Sequence, residues 1–132
     1  MLQEEQLTNR IIQCFFRVYD VLGYGFLESV YRRAMAFELT ESGLIVESEA
    51  VIDVWYRGEN VGHFRADLIV ERKVIVELKS AQTLAPVDRK QLLNYLCAST
   101  PEIGILLNFG PKARFERLIF TNDQKKKRTN RL

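Results

Sequence analysis

The 132-residue chain predicts an α/β (α+β) domain, a mixed sheet flanked by helices, and three observations carry that prediction. Two stretches with apolar residues at three- and four-residue spacing open the chain. A run rich in β-branched and aromatic residues, broken by two turn signals, comes next. A helical segment then separates two short apolar runs, which asks for a crossover and so for a parallel pair within the sheet.

Each element has its own signal. From Glu4 to Leu22, the residues Leu7, Ile11, Ile12, Phe15, Val18, Tyr19 and Leu22 form the stripe of an amphipathic helix that Gly23 ends. After two glycines in a tight connection, a second helix is expected from about Leu27 to Ser42, with Gly43 as its stop. "LIVESEAVIDVWYRGENVGHFRADLIVERKVIVELKS" reads as a three-stranded antiparallel meander with turns at Arg57 to Asn60 and Glu71 to Lys73. Pro86 suits the start of a third helix, in which Leu92, Leu93, Tyr95 and Leu96 recur at helical spacing. "IGILLNFG" is a strand covered on both faces, and "RFERLIF" supplies one more. The domain is expected over residues 1–122, and residues 123–132 as a basic, flexible tail.

Composition narrows the function classes. At 47% hydrophobic and 27% charged residues, the chain is globular in character rather than disordered or collagen-like. No apolar run reaches about 18 residues and no leader-like pattern opens the chain, so no membrane segment or signal peptide is expected, and the expected compartment is the cytoplasm. Cys14 and Cys97 lie far apart inside helical patterns and read as buried free thiols, with no spacing for zinc or iron-sulfur ligation. His63, the only histidine, reads as structural or surface. The net charge of +2 is uneven: Lys125, Lys126, Lys127, Arg128 and Arg131 leave about −3 on the rest. A basic tail is either a solvated terminus or a sequence-independent attractor of phosphate.

The segment "VERKVIVELKSA" holds the candidate chemistry. Val74, Ile75, Val76 and Leu78 form a core strand, yet Glu77 and Lys79 interrupt it, and burying charge is costly unless it is paired or bound to a metal. With a three-residue loop of Glu71, Arg72 and Lys73, Asp67 falls directly across from Glu77, at a Cβ separation of about 5 Å. Alternation puts Lys79 on the face of Glu77. On the residues alone two readings stand. In one, Lys79 and the nearby Arg65 neutralise the acids at a solvated strand end, a contribution of about 0 to 1 kcal/mol. In the other, a hard divalent cation sits between the carboxylates and Lys79 faces the attacking water. A third acid, Glu28, lies in the first turn of the second helix with Tyr31 on the same face; interaction with the helix dipole is its bland account.

"LGYGFLESVY", "FRADLIVERKVIVELKS", "QLLNYL" and "GILLNFG", in this order and spacing, resemble the GxxExxY proteins, a bacterial and archaeal family of the PD-(D/E)XK nuclease superfamily, over about Ile11 to Phe120. The resemblance implies a restriction-endonuclease-like core, αβββαβ, and a metal-dependent nuclease using Mg²⁺ (or Mn²⁺) on nucleic acid, first of all DNA. It implies Asp67 as the first acid, Glu77 and Lys79 as the ExK half-motif, Glu28 as the acid from the first core helix, and Gln91 as the polar residue on the helix after the ExK strand. The metal would be held by Asp67, Glu77 and the Leu78 carbonyl; Tyr31, Lys125, Lys126, Lys127 and Arg128 would contact nucleic acid. Ala66 stands where the signature has proline, Gly23-Tyr24-Gly25 where the family has glycine-proline-glycine, and Tyr19 and Asp88 where many relatives have histidine. The alternatives are a catalytically silent module binding nucleic acid or a partner protein, and a homodimer paired along the edge Phe115 to Phe120.

Overall fold

Helical and strand periodicities alternate along the chain, and each switch of period becomes an element boundary in the computed structural model, which describes residues 3–129, with side chains to Lys126. The order is α1 (Glu5–Leu22), α2 (Glu28–Glu41), β1 (Val46–Tyr56), β2 (Glu59–Val70), β3 (Val74–Lys79), α3 (Pro86–Cys97), β4 (Ile103–Phe109), β5 (Ala113–Ile119) and α4 (Asn122–Thr129). The five strands make one sheet in the order β1-β2-β3-β4-β5. Only β3 and β4 run parallel, joined by the crossover through α3; the other neighbours are antiparallel.

Helices cover both faces. On one, Ile11, Phe15, Tyr31, Met35 and Leu39 from α1 and α2 pack on Leu68, Val76, Leu78 and Phe109. On the other, Leu92 and Leu96 of α3 pack on Ile52, Ala66, Ile75 and Leu106. Central strands covered twice need no polar alternate residues, which is why β4 is buried throughout and β3 is buried up to Lys79. Gly104 permits this closeness: a Cβ there would lie 2.8 Å from the Leu92 side chain.

The α1–α2 connection explains two glycines and corrects one expectation. Gly23 and Gly25 adopt φ of 66° and 112°, which favour glycine. The Tyr31 hydroxyl donates to the Gly23 carbonyl (2.8 Å) and accepts the Phe26 N–H (3.3 Å), closing the turn. Its ring is fully buried and stacks on Phe109 at 4.0 Å. Tyr31 is therefore a core residue that ties α2 to the turn, and the contact with nucleic acid expected of it is sterically closed.

The segment after Phe120 is also corrected. Over Asn122–Thr129 the expected flexible tail is helix α4, opened by a capping box in which Gln124 Oε1 accepts the Thr121 N–H (2.9 Å) and Thr121 Oγ1 accepts the Gln124 N–H (3.2 Å). Lys125 is buried, and its ammonium donates to the carbonyls of Ser99 (2.8 Å) and Pro101 (2.7 Å), docking α4 against the end of α3. Burial pushes its pKa down. Lys125 is thus a structural anchor and not a solvated phosphate ligand. Lys126 is exposed, while the side chains of Lys127 and Arg128 lie outside the described residues. Cys14 is buried and free; Cys97 is free but only half-buried. His63 lies on the surface, and β5, the strand containing Phe115, is an outer strand.

Candidate active site

The site forms where β2 separates from β3. Glu71 and Arg72 take left-handed φ values of 53° and 55°, and the Lys73 N–H closes the turn on the Val70 carbonyl (3.0 Å). The pairs Val70↔Val74, Ile69↔Ile75 and Leu68↔Val76 fix the expected register, so Asp67 comes opposite Glu77. There the ladder stops. On the other side of β2 the pairing steps from Ser48↔Leu68 to Ala50↔Ala66, passing over Glu49 and Asp67. Glu49 has φ of 51°, a conformation that costs a non-glycine residue roughly 1 to 2 kcal/mol.

Side chains replace the missing strand bonds. The Asp67 N–H donates to Glu77 Oε1 (3.1 Å), and the Leu78 N–H donates to Asp67 Oδ2 (2.8 Å). Two carboxyls are thereby laid into a fork between strands, each held by the other residue's neighbourhood. Burial, and then the Asp67 charge beside it, push the Glu77 carboxyl from its ordinary 4.5 up to about 8, while Lys79 acts in the opposite sense. A carboxyl that burial keeps protonated beside a second acid is a place where a cation can take the proton's part.

A family profile of the PD-(D/E)XK nuclease superfamily matches residues 5–118. The chain belongs to the PD-(D/E)XK nuclease superfamily. Two solved structures share the fold of this superfamily member. SSO0001 superposes with a TM-score of 0.55 at 20% identity, over 74% of this chain and 52% of that one, so the chain spans about half the length of SSO0001. The alkaline exonuclease (LHK-Exo) from Laribacter hongkongensis gives a TM-score of 0.55 at 13% identity, over 99% of this chain and 77% of that one. A search of curated proteins finds no match.

Within this PD-(D/E)XK fold, α3 walls one side of the fork. Lys79 Nζ lies 3.9 Å from Asp88 Oδ1, and Asp88 is fixed by accepting the Ala85 N–H on Oδ2 (2.9 Å). Asp88 therefore holds the lysine to the first turn of α3. Gln91, exposed and one turn further on, hydrogen-bonds the Tyr95 hydroxyl. The Tyr95 ring stacks on Phe64 at 3.7 Å, and burial, then the charges of Glu77 and Asp67, push its pKa up. Behind Lys79, the Asn108 amide binds both the N–H and the carbonyl of Ala81 (3.0 Å each), securing the exit of β3. From α2, Arg32 reaches the fork, 4.0 Å from Asp67 Oδ1 and 3.6 Å from Glu49 Oε1.

The structure thus brings Asp67, Glu77, Lys79 and the Leu78 main chain together, with Gln91 joined through Tyr95. It does not add Glu28, which is the exposed first residue of α2 and makes no hydrogen bond or ion pair among the described residues. Among those residues no group of three or more His, Cys, Asp or Glu comes together as a metal site. The cation beside Asp67 is Arg32, and not Arg65, which is exposed. Sequence reading missed Arg32, Glu49 and Tyr95. Arg32 had a signal, four residues after Glu28 on the same helix face; the irregularity at Glu49 had none.

The donor set fits a hard divalent ion. Mg²⁺ takes one or two carboxylates and fills its remaining positions with water, so two acids at hydrogen-bond separation suffice. The Glu77 carboxyl, held protonated beside Asp67, marks the place where positive charge is lacking.

Proposed function

We propose that the protein is a divalent-metal-dependent nuclease hydrolysing phosphodiester bonds in nucleic acid, DNA foremost, and that within the superfamily it is a GxxExxY protein. The observation that carries this reading is the convergence of Asp67, Glu77 and Lys79 on one fork of a PD-(D/E)XK fold. PD-(D/E)XK nucleases generally use divalent metals. The family assignment draws support from Gly25 and Tyr31, which make the α1–α2 turn that sets Glu28 at the head of α2.

Asp67 and Glu77 would hold Mg²⁺ or Mn²⁺, with the Leu78 carbonyl as a further ligand. The ion supplies Lewis-acid stabilisation of charge building on the phosphoryl oxygens. Lys79 orients the attacking water, and its ammonium faces the phosphoryl group, where it stabilises the charge that builds there. Asp88 fixes where that ammonium stands. Gln91 positions the scissile phosphate or Lys79 from α3, and Glu28 orients ligands at the outer edge of the site. Lys126, exposed on α4, together with Lys127 and Arg128, adds sequence-independent attraction to phosphate.

Cleavage of plasmid DNA, single-stranded DNA and RNA with Mg²⁺ or Mn²⁺ tests the reading. Glu77→Ala and Lys79→Ala are each expected to lower the rate by at least about a hundredfold with the fold retained. Undiminished cleavage by either variant refutes the assignment. A second reading, a catalytically silent module that binds nucleic acid or a partner protein, is favoured by the pairing of Lys79 with Asp88 and by the separation of Glu28 from the acid pair. Calorimetric titration with Mg²⁺ separates the two, because the enzyme must bind the ion.

A further inference from the structure

Arg32 spans two carboxylates that belong to different strands. One guanidinium nitrogen lies 3.6 Å from Glu49 Oε1 and another 4.0 Å from Asp67 Oδ1. The second Asp67 oxygen, Oδ2, is already taken by the Leu78 N–H at 2.8 Å. Oδ1 is therefore the oxygen that remains to face an ion, and the guanidinium stands beside it. Arg32 and Asp67 side chains are each 22% exposed, so their charges act on one another through a partly dry medium; Glu49, at 52%, is open to water.

Glu49 is an unusual residue at this place. It sits in β1 with φ of 51°, opposite Asp67, at the step that the β1–β2 ladder passes over. Backbone in a sparsely populated conformation persists only where its surroundings hold it there. Here it carries a carboxylate to the far side of Arg32.

On the reading that Asp67 and Glu77 hold a divalent ion, we infer that Arg32 is the resident counter-cation of Asp67, and that Glu49 is the acceptor that keeps the guanidinium when an ion takes Asp67 Oδ1. Two cations at one carboxylate oxygen repel each other. A guanidinium already paired with a second carboxylate has a place to go. The move exchanges a shared position for contact with Glu49 alone, and the long, weakly hydrated arginine side chain makes it at little cost. Arg32 is then a positioning residue that sets how readily the fork accepts its ion, and Glu49 acts through it.

The test is calorimetric titration of the full chain with Mn²⁺ alone, for the wild type, Arg32→Gln, Glu49→Gln and the double variant, each checked for native melting. Arg32→Gln is expected to bind Mn²⁺ about three- to tenfold tighter, because the competing cation is gone. Glu49→Gln is expected to bind it weaker by a similar factor, because the guanidinium then has Asp67 as its remaining partner. In the Arg32→Gln background, Glu49→Gln should change affinity by less than about twofold, since its effect passes through the arginine. Should Arg32→Gln not fold, Arg32→Met carries the test: it keeps an unbranched apolar stem and removes the charge, and tighter binding than the wild type is expected. Binding by the wild type that Arg32 variants leave unchanged or weaken overturns the inference alone, as does a full additive loss in the double variant. Absence of Mn²⁺ binding in all four proteins overturns the metal reading and the inference with it.

Discussion

Strand β3 has two neighbours and treats them differently. Against β4 it pairs from Val74↔Ile103 through Lys79↔Asn108; against β2 it pairs from Val70↔Val74 to Leu68↔Val76 and then lets go. On the β4 side, apolar residues buried by helices on both faces leave the main chain no partner except the next strand. On the β2 side, two carboxyl side chains compete for main-chain N–H groups and take them, Asp67 from Leu78 and Glu77 from Asp67. The closed side supplies rigidity and the open side supplies reactive groups. A site built this way is positioned by strands rather than by loops, which limits how far its groups can stray.

The largest expected effect strikes the closed side. A Cβ on Gly110 would lie 2.3 Å from the Ala81 carbonyl oxygen, a main-chain atom that cannot swing aside. Gly110→Ala is expected to lose about 3 kcal/mol of stability, read from the denaturant midpoint, and to lower activity further by loosening the exit of β3 next to Lys79. Stability unchanged within error would show that the closed side is not rigid.

On the open side the effect depends on pH. The Glu77 carboxyl, raised from 4.5 to about 8, holds its proton in the folded chain and loses it in the unfolded one across that window. The folded state thus binds more protons, so stability of the ion-free protein falls as pH rises from about 4.5 to about 8. Glu77→Gln should flatten this slope and stabilise the ion-free protein at the upper end of the window. Thermal melts across the window check it, and a wild-type slope that the variant retains would place the titrating group elsewhere. Added Mn²⁺ should raise the wild-type melting temperature, more at the upper end of the window than at the lower, and should do little to Glu77→Gln.

The smallest effect lies away from both sides. Thr121→Ala removes half of the capping box of α4 and is expected to cost about 1 kcal/mol without altering the pH slope. A change in slope would mean that α4 communicates with the fork.

Much of this was legible in the chain itself. The strand register followed from the loop between Val70 and Val74, because side-chain alternation leaves one pairing that buries Leu68, Val70, Val74 and Val76 on the same face. That register alone put Asp67 opposite Glu77. The helix after Phe120 was also written there, in the Thr121-to-Gln124 box, but the run of lysines concealed it. Tyr31 was read for its chemistry when its spacing from Gly25 should have been read as packing.

What the sequence determined was the order of elements and the confrontation of two acids beside a lysine, because periodicity and pairing are local rules that residue types enforce. What only the tertiary structure decided was the company those acids keep: Arg32 arriving from α2, Glu49 from an irregular step in β1, Asp88 from the head of α3 and Tyr95 one turn beyond Gln91. These meetings depend on how helices cross the sheet and on where a ladder breaks. Both are set by the packing of the whole core, and neither leaves a periodic trace along the chain.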